Sequence, residues 1–80
     1  MAQEFAMTLC NITDDRVTWN VTPAGGETTE TLQASRQFGT ILVPFAEKYH
    51  ITAGKEETTS DSPSVAAVYT GTTIVICSPA

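Results

Sequence analysis

The sequence predicts an all-β domain, a small antiparallel β-sandwich of about seven short strands, from three observations. Threonine is the commonest residue and stands mostly among Val, Ile and aromatic residues, whose side chains lose rotamer freedom in a helix and suit a pleated surface. No long window keeps a 3.6-residue apolar period. Turn signals recur at the spacing of short strands, as in sandwiches and small barrels. A partly open β-barrel is the alternative closure of the same strands. Eighty residues allow one domain, 1–80, with one modest core.

Residues 5–10 alternate, with Phe5, Met7 and Leu9 on one face. Asp14-Asp15 marks a turn, since Asx side chains bond their own backbone. Residues 17–22 form the clearest strand, with Val17, Trp19 and Val21 inward. Pro23-Ala24-Gly25-Gly26 ends it, because glycine accepts the positive φ of a tight turn. Residues 27–33 read as a polar return strand with Leu32 as its anchor, completing a three-stranded antiparallel meander. After a corner at Ala34-Ser35, residues 37–43 form a fourth strand that stops at Pro44, which has no donor for a central ladder. Residues 48–53 form a fifth, with Tyr49 and Ile51 on one face. Residues 54–64 are polar throughout and read as a loop or flap. Residues 65–69 and 72–77 close the domain as a pair around Thr70-Gly71, and 78–80 are a tail.

Charge excludes some functions. Four basic residues against nine acidic ones give a net charge of −5. Arg16, Arg36, Lys48 and Lys55 are scattered, so no stripe tracks a phosphate backbone and nucleic acid is not an expected partner. The apolar runs Ile41-Leu42-Val43 and Ile74-Val75-Ile76 are too short for membrane insertion. The first residues lack the basic and apolar regions of a signal peptide.

Cys10 lies in the first predicted strand and Cys77 in the last. If these strands are neighbours, a disulfide between them closes a loop of nearly the whole chain and contributes about 4 kcal/mol. It would also indicate an extracellular location. Two reduced thiols behaving as small hydrophobes are the other expectation. With a single histidine, the two cysteines match no zinc-site spacing.

Catalysis finds no support. His50 is the only histidine, and its strand phase points it away from the Tyr49/Ile51 face toward solvent. No Gly-x-Ser-x-Gly elbow or phosphate-binding glycine loop occurs. Asp14, Asp15, Glu27 and Glu30 lack the spaced oxygen ligands of a calcium loop, and no cofactor is expected. Asn11-Ile12-Thr13 and Asn20-Val21-Thr22 are short sequons that arise by chance. The alternation rule sends Trp19 and Tyr49 to the core and leaves Phe45, beside Pro44, as the aromatic expected at the surface.

The expected function is therefore a non-catalytic protein-interaction module, self-associating as a homo-oligomer or binding and inhibiting a protein partner. Its expected contacts are Phe45 and the polar segment with Lys55, Glu56, Glu57 and Asp61. The alternative is a small glycan-binding, lectin-like domain that uses exposed aromatics with Asn or Asp.

Overall fold

The alternating pattern is realised in eight strands: β1 (Glu4–Asn11), β2 (Val17–Pro23), β3 (Thr29–Gln33), β4 (Gln37–Pro44), β5 (Lys48–Ala53), β6 (Glu56–Asp61), β7 (Ala66–Tyr69) and β8 (Ile74–Cys77). The computed structural model describes residues 4–61 and 66–77. Two four-stranded sheets, ordered β4-β1-β7-β8 and β3-β2-β5-β6, pack as a small β-sandwich. The β1–β7 pair is parallel, and the other pairs are antiparallel.

Strand alternation fills the space between the sheets. The first sheet contributes Met7, Leu9, Val43, Ala67 and Ile74, and the second contributes Val17, Trp19, Val21, Tyr49, Ile51 and Ala53. β2 alternates strictly, each inward residue buried and each outward one half-buried, as expected for a central strand with one face on the core. Trp19 is fully buried, and its ring meets Tyr69 edge-on at 6.3 Å.

Each chain crossing between the sheets that lies within the described residues is held by polar side chains. At the β1–β2 turn, Asn11 is fully buried. Its Nδ2 donates to the Asp15 and Ala34 carbonyls, and its Oδ1 accepts from the Thr13 amide and hydroxyl. The first sequon is thus an Asx turn that also holds the β3–β4 crossing. That crossing contains Arg36 at φ 55, where its amide donates to the Thr13 carbonyl and its guanidinium pairs with Asp14 at 2.9 Å. At the β4–β5 crossing, the Tyr49 hydroxyl donates to the Pro44 carbonyl and accepts from the Ala46 amide.

Four expectations change. First, the predicted meander is divided, because β1 joins the first sheet while β2 and β3 pair in the second. Second, most of the expected 54–64 loop is the edge strand β6, which brings the count to eight. Gly54 adopts φ 60 in a two-residue turn between Ala53 and Glu56, the turn length that favours hairpins. Only one edge of β6 is paired and, among its described side chains, only Ser60 is buried, so its residues carry no apolar alternation. Third, Leu32 does not anchor β3. The register pairs Trp19 with Thr31 and Val17 with Gln33, which turns Gln33 inward and leaves Leu32 62% exposed. Gln33 replaces an apolar anchor by accepting from Trp19 Nε1 and donating to the Leu9 carbonyl, both at 2.7 Å.

The fourth correction concerns the cysteines. Both point to the outer face of the first sheet, but Cys10 pairs with Val68 and Cys77 with Ala66. β7 therefore separates them by two strand spacings, about 9.6 Å, beyond the roughly 7 Å that a disulfide spans between Cα atoms. Both thiols are free. Residues 1–3, 62–65 and 78–80, with the expected tail and the start of the expected sixth strand, lie outside the described residues.

Candidate functional site

The residues expected to make contacts do not form one site. Phe45 is 55% exposed as predicted and follows β4 at one end of the sandwich. Lys55, Glu56 and Glu57 flank the β5–β6 turn at the other end of β5. Asp61 pairs through its backbone with Lys48, back at the Phe45 end, and its side chain lies outside the described residues. A hairpin one strand long separates the two groups, about 20 Å at the rise of a β-strand.

The outer faces of the two sheets differ in chemistry. On the second sheet, register places Glu30, Lys48, His50 and Glu57 outward among Thr18, Asn20, Thr22, Thr52 and Thr59. His50 Nε2 lies 3.4 Å from Glu57 Oε2, with both side chains more than half exposed.

On the first sheet, the outward residues form rows across the strands. One row runs Phe38, Cys10, Val68, Val75, and the next runs Thr40, Thr8, Ala66, Cys77. A third pairs Leu42 with Ala6. None of these ten residues is ionised at neutral pH as an acid or base of the Asp, Glu, Lys or Arg type. Glu4, opposite Pro44 at the end of the β1–β4 ladder, and the Arg36–Asp14 ion pair beyond the other end bring charge only to the margin. Phe38 is 73% exposed and Leu42 63%, with Val75 and Ile12 also exposed. The Thr8 and Thr40 hydroxyls face each other at 3.4 Å in the middle row.

This surface was missed because no strand shows it alone. Each contributes one or two ordinary outward hydrophobes, which are common on soluble proteins. Only the register of β4, β1, β7 and β8 makes them contiguous. This face is thus uncharged across its middle, with charge confined to its two ends, unlike the outer face of the second sheet.

Two concave features lie elsewhere. An open depression of about 340 Å³ at the Asn11 end is lined by Thr13, Asp15, Arg16, Asn20 and Tyr69, among others. A shallower one of about 260 Å³ runs beside Thr22, Lys48, His50 and Thr59. Among the described residues, no three His, Cys, Asp or Glu side chains are grouped to hold a metal ion. No family model matches the chain, no curated protein matches it, and no solved structure matches it.

Proposed function

We propose that the protein is a non-catalytic interaction module that works through the outer face of its first sheet. The observation that carries this is the segregation of charge. Ionised side chains populate the second sheet's face and the turns, while ten contiguous outward positions on the first sheet hold none. Water covers exposed Phe38 and Leu42 unfavourably, at about 25 cal/mol per Å² of apolar surface, so a partner that removes them from water gains free energy. Phe38, Leu42 and Val75 replace the 55–61 segment as the expected contacts, and Phe45 follows Pro44 at the end of the same edge strand.

A photo-cross-linking amino acid at Thr40, in the middle row of the face on edge strand β4, tests the proposal against the same group at Thr59 on the opposite sheet. The expected result is a discrete protein adduct from Thr40, lost with Phe38→Lys, and none from Thr59. Equal adducts from both positions, or none from either, would refute it.

The glycan-binding alternative draws on the depression at the Asn11 end, where Asn20 and Asp15 accompany Tyr69. Trp19 is too buried to stack on a sugar, but it touches Tyr69 and would report occupancy. A sugar panel that leaves Trp19 fluorescence unchanged removes this alternative.

A further inference from the structure

We infer that the occupant of the uncharged face is a second copy of this chain, packed sheet against sheet about a two-fold axis. The inference rests on the proposal that this face is an interaction surface, and it adds the partner. Three observations favour a copy.

The first is charge. Each molecule carries −5, so most ways of pairing two copies bring acidic surfaces together. Face-to-face packing of the first sheets brings ionised groups in only at its margins, Glu4 at one end and the Arg36–Asp14 ion pair at the other, and it turns both charged second sheets toward solvent.

The second is self-complementarity. The Phe38 and Leu42 rows flank the middle row of Thr40, Thr8, Ala66 and Cys77. A two-fold axis along the middle row stacks the β4 and β1 part of the Phe38 row of each copy on the Leu42–Ala6 row of the other, so bulky Phe38 and half-exposed Cys10 meet Leu42 and small Ala6. Such an interface is isologous and closes at two copies.

The third is area. Eight-residue β1 and β4 and four-residue β7 and β8 cover about 400 Å² in projection, from the rise and spacing of strands. Two opposed faces therefore cover about 800 Å² in projection, and protruding Phe38, Leu42 and Val75 add to it, which suits a small, reversible interface.

The two free thiols report on this arrangement. Cys77 is exposed and Cys10 half-buried in the monomer, and both belong to the face that the second copy covers.

The test is sedimentation velocity with reductant from about 5 to 500 μM, a range spanning micromolar dissociation constants, together with the rate of maleimide labelling of Cys77. Leu42→Lys is compared with Leu32→Lys, because the two leucines are 63% and 62% exposed on opposite sheets. Circular dichroism shows that each variant is folded. Expected are a concentration-dependent doubling of mass, labelling slowed at least about fivefold at high concentration, and association weakened at least about tenfold by Leu42→Lys but not by Leu32→Lys. Added salt should leave the dimer intact or strengthen it, because it screens repulsion between the acidic copies. A monomer throughout the range overturns the inference, as does a dimer that leaves Cys77 labelling unchanged or is lost equally with Leu32→Lys. If the protein is a monomer and the Thr40 cross-link captures a different protein, the copy is refuted while the face remains an interaction surface. If the protein is a monomer and the cross-link captures nothing, both proposals fall.

Discussion

Replacing Gln33 with leucine should destabilise the protein by about 1–3 kcal/mol, although it exchanges a polar residue in an apolar core for an apolar one. Gln33 is 4% exposed, and its amide accepts from Trp19 Nε1 and donates to the Leu9 carbonyl, each at 2.7 Å. The side chain thus joins β3 and β2 of one sheet to β1 of the other. In Gln33→Leu, the buried indole N–H and a buried carbonyl lone pair lose their shared partner. Each unsatisfied buried group costs about 1–3 kcal/mol, while burying the leucine side chain offsets about 1.5–3 kcal/mol of the total. For a domain with about 5–15 kcal/mol of total stability, the net loss is large.

Gln33→Glu sharpens the test because it keeps the shape and removes only the donor. An ionised carboxylate there still accepts from Trp19 but turns its second oxygen toward the Leu9 carbonyl. Burial and that oxygen both favour the protonated acid, whose O–H restores the missing donor. The folded-state pKa is then raised above the unfolded value of about 4.3. The bond's contribution is therefore present below about pH 4.3 and lost as pH rises through the folded-state pKa. Urea unfolding followed by Trp19 fluorescence at several pH values reads both variants. Gln33→Leu within about 0.5 kcal/mol of the parent protein, or Gln33→Glu with the parent's pH dependence, would refute this account of the inter-sheet bond.

Two further predictions concern the β4–β5 crossing and the thiols. Burial raises the Tyr49 phenol above its ordinary 10.0, partly opposed by the hydrogen bond from the Ala46 amide; its stabilising effect is thus fully present below pH 10.0 and lost as pH rises through the raised value. Tyr49→Phe should cost about 1–2 kcal/mol at pH 7 through the lost hydroxyl bonds and should flatten the alkaline fall in stability, both measurable by denaturant melts. Because Cys10 and Cys77 are held apart by β7, reductant should leave the melting temperature of dilute protein unchanged. A drop of about 15–30 °C, expected if a bridge contributed about 4 kcal/mol, would contradict the strand order.

Much of the secondary structure is legible along the chain. Thr and Val alternation identifies β2, and the same rule sends Trp19 and Tyr49 inward and leaves Phe45 exposed. Gly25, at φ 77, ends β2 where the Pro-Ala-Gly-Gly run predicts. These features are local, since a two-residue period and a positive-φ turn are written in neighbouring residues. β6 escapes the same logic because an edge strand facing largely solvent needs no apolar alternation. β3 shows how register overrides hydrophobicity: a two-fold hydrogen-bonded glutamine takes the inward position and sends the adjacent leucine to the surface.

The candidate site belongs to the second kind of information. Alternation along each strand already makes Phe38, Leu42, Cys10 and Val75 share outward phases with their neighbours, but phase says nothing about which strands adjoin. Inserting β7 between β1 and β8 separates the cysteines and brings their rows into one uncharged surface. Composition and local period determined that the chain forms strands and which residues most of them bury, because those preferences act between near neighbours. The pairing of distant strands decided where the outward hydrophobes gather, because only long-range register places residues from four separated segments side by side.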